Sequence, residues 1–163
     1  MKKIFMFFVA VATMFAQDVF AQTELTAEQK REAAKAKREE MMQTRLELLK
    51  AELSLTDEQF LKFDPVYRKY RQEIQKVTSM NKDARIKKDL ITNENALRVV
   101  SARLANDALN TAVKQRYVLI FAEVIEPMQV MKLYRVEGKI SREASKIMKY
   151  RAAAASMDAS AKK

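Results

Sequence analysis

The sequence predicts an all-α fold of four helices, on three observations. First, the 163 residues include one Gly and two Pro, too few for the tight turns of hairpin-rich β structure. Second, one helix-opening unit recurs, beginning at residues 25, 55, 91 and 125. Third, apolar side chains between those points recur at steps of three and four, the spacing of one helix face.

The clearest copy of the unit is Leu55-Thr56-Asp57-Glu58-Gln59. Thr56 is an N-cap whose hydroxyl can accept from the N–H of Gln59, and Gln59 can reach back to the N–H of Thr56. Leu55 and Phe60 can close a hydrophobic staple across that turn. Asp57 and Glu58 suit the positive end of the helix. Thr26 and Gln29 form a second full copy. Thr92 heads a near copy with Asn95 at the third position, and Pro127 with Gln129 makes a degenerate one in which Pro takes its favoured first-turn place. Thr26, Gln29, Thr56, Gln59, Thr92, Pro127 and Gln129 are therefore assigned to structure as helix caps.

Residues 1–21 read as a secretory signal: Lys2 and Lys3, an apolar run from Ile4 to Ala16, and a small-residue site at Val19-Phe20-Ala21. The run is short of the roughly 20 residues that a membrane span needs. The chain has no Cys to carry a lipid, so the expected location is the periplasm, without an anchor. Residues 22–40 hold charge and Ala but no large apolar side chain beyond Leu25, and predict a frayed or mobile arm. The helical domain is expected over 41–150, and a disordered tail over 151–163.

Within the domain, Met42, Leu46, Leu49 and Leu53 form the stripe of the first helix. The second helix, from Asp57, carries Phe60, Phe63, Tyr67, Tyr70, Ile74 and Val77 in a heptad seam. Pro65 lies past its first turn and predicts a bend over 61–65. The third helix opens at Thr92 and runs to about Val124. Leu97, Val100 and Leu104 mark its first apolar face, and Ala105, Ala108 and Ala112 would permit close approach of a partner helix. Tyr117 to Ala122 is apolar on every side, which predicts burial and a second subunit to complete it. The fourth helix, from Pro127, has the stripe Val130, Leu133, Glu137, Ile140, Ala144 and Ile147. Glu137 there either has a cationic partner on the second or third helix or sits at the seam's edge with its head in water.

Chemistry is narrowed by what is missing. The chain has no His and no Cys, which removes Ser-His and Cys-His nucleophiles and the usual zinc sites. It has no Gly-rich phosphate loop and no EF-hand-like loop. No enzyme activity, cofactor or metal is expected. The formal charge is +10, but export takes nucleic acid out of reach and leaves anionic lipid or acidic, unfolded polypeptide as partners. Arg68 to Lys88 holds eight basic residues against two acidic ones. Arg68, Arg71, Lys76, Lys82 and Arg85 are the candidate charge contacts for such a client. Met41, Met42 and Met80 are the candidate apolar contacts, being soft and adaptable.

The Leu-Thr-x-x-Gln unit of Leu25, Thr26 and Gln29, and of Leu55, Thr56 and Gln59, stands behind a signal in a small, basic, helical chain. With Ile125, Pro127 and Gln129 where a further copy would stand, it resembles the Spy/CpxP family of LTxxQ-motif envelope proteins. Phe60-x-x-Phe63-x-Pro65-x-Tyr67-x-x-Tyr70 and Lys132-Leu133-Tyr134-x-x-Glu137 look like forms from Bacteroidetes-type relatives. The resemblance covers roughly residues 25–150. It implies four helices with a long bent hairpin, paired as a cradle-like antiparallel homodimer. It implies an ATP-independent periplasmic chaperone that holds unfolded clients under envelope stress, or alternatively a regulatory protein that inhibits a membrane stress sensor. Metal-responsive members use His and Cys, which this chain lacks.

Overall fold

The computed structural model describes residues 26–161, and side chains as far as Met157; the expected signal over 1–21 lies outside them. Four α-helices account for almost all of this span: α1 Ala27–Glu52, α2 Asp57–Met80, α3 Asn93–Ala122 and α4 Pro127–Ala161. Two short 3-10 turns, Asp83–Arg85 and Lys88–Leu90, join α2 to α3. There is no strand among the described residues. The chain divides into two units, 1–34 and 35–163. In the first, the described residues are the opening turns of α1, all exposed. Gln29 closes a reciprocal cap with Thr26 there: Thr26 N–H donates to Gln29 Oε1 at 2.9 Å and Gln29 N–H to Thr26 Oγ1 at 3.2 Å.

The second unit is built around an aromatic interior. Phe63, Tyr67 and Tyr70 of α2, Tyr117 and Phe121 of α3, and Leu133 of α4 are buried together with Leu46 and Leu49 of α1. Phe63 stacks on Tyr67 at 5.4 Å, Tyr70 lies 5.2 Å from Tyr117, and Phe121 meets Tyr70 edge-on at 5.5 Å. Each such pair adds about 1 kcal/mol beyond the area it buries. Phe60, Ile74 and Val77 pack half-buried on this cluster. The α2 seam is thus interior where its side chains are largest.

Two turns close one end of this interior. The α1–α2 turn is a Schellman motif: Leu55 N–H donates to Lys50 O at 3.0 Å and Ser54 N–H to Ala51 O at 3.1 Å. Ser54 takes the left-handed conformation usually given to Gly, with φ 54°. Leu55 ends this motif and begins the next, its buried side chain sharing the core with Phe60. At the α3–α4 turn, buried Ile125 and Val130 share the core in the same way across the start of α4.

α2 stays one α-helix across Pro65. Pro65 cannot donate, but Leu61, whose carbonyl would have accepted, is exposed, so water can serve it. After Tyr150 the chain continues as helix to Ala161 rather than as a disordered tail. The run is rich in Ala, the strongest helix former, and Arg151 holds this end of α4 to α1 through Glu40 at 3.2 Å. Residues 35–40 of the expected arm are likewise helical and exposed.

α3 departs from the expected facing. Its buried row is Val99, Ala102, Asn106, Val113, Tyr117 and Phe121, while Leu97, Val100 and Leu104 point outward. The Tyr117–Ala122 segment is buried on one side only: Leu119 is 74% exposed and Val118 also faces out.

Candidate functional site

The caps come first, because they fix where each helix points. Thr56 and Gln59 exchange both bonds of a capping box, at 3.1 Å each. At α3, Asn95 Oδ1 accepts from Thr92 N–H at 2.9 Å, while the Thr92 hydroxyl turns to Glu94 at 3.1 Å. At α4, Gln129 Oε1 accepts from Glu126 N–H at 2.9 Å behind Pro127. Gln129 also donates to the last-turn carbonyl of Leu53 at 3.1 Å. Gln59, Asn95 and Gln129 thus each accept from a backbone N–H at a helix start.

The basic run then separates into two sets. Arg68 spends its guanidinium on Asp64 and on Glu39, the latter at 2.8 Å. Arg71 donates from Nη1 to Glu137 Oε1 at 3.0 Å. Glu137 is 8% exposed, and its second oxygen accepts from the Tyr70 hydroxyl at 3.0 Å. Its interruption of the α4 seam is therefore a buried ion pair across α2 and α4. Burial, then the Glu137 charge, holds the Tyr70 hydroxyl well above its ordinary range. Burial lowers the Arg45 guanidinium nearby, and the Arg71 charge lowers it further. Arg68 and Arg71 belong to the fold; they are not free charges on its surface.

Lys76, Lys82 and Arg85 are exposed, and they have no ion pair among the described residues. Lys87 and Lys88 share both properties. The loop that carries most of these cations is tied to α3. Arg103 donates to the carbonyls of Ala84 at 3.4 Å and Ile86 at 3.0 Å, and Arg98 pairs with Asp83 at 3.3 Å. That ties the loop of residues 82–88 to the stretch of α3 that carries Arg98 and Arg103; Leu97, Val100 and Leu104 of the same helix are exposed. Leu97 is 84% exposed; Met80 and Leu90, at the two ends of the loop, are exposed as well. Met41 and Met42 are half-buried on α1, and Met42 packs against the core, so neither is an open contact.

The candidate surface is therefore the loop and the outward row of α3, and not the aromatic seam of α2. Composition of the run pointed to Lys82, Arg85 and Met80. The outward row was missed because sequence spacing alone took Leu97, Val100 and Leu104 for an inner face. The geometry suits loose contact: exposed cations for acidic groups at long range, and exposed apolar side chains for short-range burial. No group of three or more acidic side chains that could hold a metal ion occurs among the described residues. No helix among the described residues is long and apolar enough to cross a membrane. No protein-family model, curated protein or solved structure matches the chain.

Proposed function

We propose that the chain is an ATP-independent periplasmic chaperone that holds unfolded or stress-damaged envelope proteins. The observation that carries this reading is that Lys82, Arg85, Lys87 and Lys88 are exposed, without an ion pair among the described residues, on a loop tied to α3, and that Leu97, Val100 and Leu104 of the same helix are exposed as well. An unfolded client presents acidic groups and apolar side chains without fixed geometry. A surface with the complementary chemistry and no pocket would bind it weakly and let it fold while bound. The signal-like residues 1–21 read from the sequence, and the LTxxQ-like units, support the same reading.

The test is aggregation of an unrelated acidic client, followed by light scattering without nucleotide. Suppression should weaken as salt screens the cations over a Debye length of roughly 8 Å at physiological strength. Replacing Lys82, Arg85, Lys87 and Lys88 together by Gln should reduce it at constant thermal stability. No suppression at several-fold excess would overturn the proposal, and a single dominant sensor in a pull-down would favour a regulatory role instead.

A homodimer belongs to the same proposal. On α3, Leu97, Ser101, Leu104, Ala108, Thr111, Gln115, Val118 and Ala122 follow one another at alternating steps of four and three. The row is free of charge, half of it is made of small side chains, and it faces away from the core, as a coiled-coil seam would. The half from Ala108 to Ala122 is the part that a second copy would cover, leaving the loop end to clients. Val118→Lys with Ala122→Glu should shift sedimentation toward the monomer; unchanged sedimentation would exclude this face.

A further inference from the structure

A cleft of about 440 Å³ opens between α2, α3 and α4; it uses none of the loop cations and shares only Thr111 with the outward row of α3. Its lining includes the Arg71–Glu137 pair, Asp107, Asn110 and Lys114 of α3, and Gly138 of α4. Gly138 is the only glycine of the chain, and it sits inside a helix, where Gly is costly. No close approach explains it: a Cβ there would meet nothing within 4 Å. What the glycine provides is room.

The polar groups around that room fall into spent and unspent. Both Glu137 oxygens are engaged. The hydroxyls of Tyr134 and Thr111 donate to the carbonyls of Lys114 and Asp107 at 2.8 and 2.9 Å. Buried Arg71 Nε–H and buried Asn110 Oδ1 have no partner, and buried polar atoms are rarely left so. Lys114 and Asp107 carry opposite charges, and neither is ion-paired among the described residues. They lie seven residues apart on one face of α3, about 10 Å along its axis. Asn110 and Thr111 lie between them.

We propose that this cleft binds a short zwitterionic peptide of about dipeptide size, its carboxylate toward Lys114 and Arg71 and its ammonium toward Asp107 and Asn110. The charge spacing is too long for the adjacent ammonium and carboxylate of a single α-amino acid. The volume lies in the ordinary range for small-ligand sites, roughly 300–1,000 Å³. This inference does not depend on the chaperone reading.

The lone glycine supplies the probe. Protein labelled with 15N-glycine gives one glycine amide signal, from the wall of the cleft. Titration with alanyl-leucine to millimolar concentration should move that signal saturably. N-acetyl-alanyl-leucine and alanyl-leucine amide, each missing one charge, should bind about tenfold more weakly, as should Lys114→Ala and Asp107→Asn. In calorimetry, Gly138→Leu should abolish the binding heat without lowering the unfolding temperature. A stationary signal, equal shifts with the blocked peptides, or undiminished heat with Gly138→Leu would overturn the proposal.

Discussion

Gln59 Nε2 donates to Gln129 Oε1 at 3.2 Å, joining the caps of two helices whose first turns lie 70 residues apart. Gln59 also accepts from Thr56 N–H and Gln129 from Glu126 N–H. Each amide thus closes its own helix and holds the other's. Since Gln129 reaches Leu53 O as well, three helix ends are fastened at one place. Gln129→Ala should lower stability by about 2 kcal/mol, the loss of a cap and of partly buried bonds. A double-mutant cycle with Gln59→Ala should return a coupling of roughly 0.5–1 kcal/mol in urea unfolding. Strict additivity would mean that the two caps act separately.

Ser54 holds a left-handed conformation at the end of α1. A side chain there costs roughly 1–2 kcal/mol relative to Gly, partly offset by the extra freedom that Gly gains in the unfolded chain. Ser54→Gly should therefore raise stability by about 0.5 kcal/mol. An increase in the urea midpoint at constant slope is the expected reading.

The Arg71–Glu137 pair is mostly buried, with side-chain exposures of 23% and 11%. Removing one partner leaves a charge in the interior, so Arg71→Met should cost about 3 kcal/mol or more. Arg71→Met combined with Glu137→Met should recover much of that loss, because no lone charge remains. Thermal unfolding of the three variants measures this directly, and a double variant worse than either single would contradict it.

Alkali should loosen the fold through its tyrosines. Burial, then Glu137, pushes the Tyr134 hydroxyl up to about 12, and burial raises those of Tyr67, Tyr70 and Tyr117 as well. The folded state thus keeps protons that the unfolded state releases near the ordinary tyrosine value of about 10. The resulting stability is complete below pH 10 and drains away as pH climbs toward 12. Tyrosinate absorbance should rise together with loss of helical circular dichroism over that window.

What the sequence disclosed divides by the range of the interaction. Caps are local, so Thr56 with Gln59 could be placed on a helix start from five residues. The α2 seam was legible because aromatic side chains at heptad steps have one reasonable destination. The facing of α3 was not. Its inner row includes Ala102 and Asn106 while its outer row includes Leu97 and Leu104, so hydrophobicity alone gives nearly equal claims to both. The choice is made by volume, since Tyr117 and Phe121 complete the rings of α2 and carry the helix round with them. Likewise the basic run gave its charge but not its pairing. Arg71 meets Glu137 from 66 residues away, a distance that no local pattern encodes. The meeting of Gln59 with Gln129, and the open wall at Gly138, are tertiary facts of the same kind.

The two-sided character of α3 has an evolutionary consequence. Its outward positions do not support the interior, so substitutions there are nearly neutral for folding. On the proposed chaperone reading, descendants of this chain could trade one clientele for another along Leu97 to Ala122 while the aromatic centre and the glutamine clasp remain as they are.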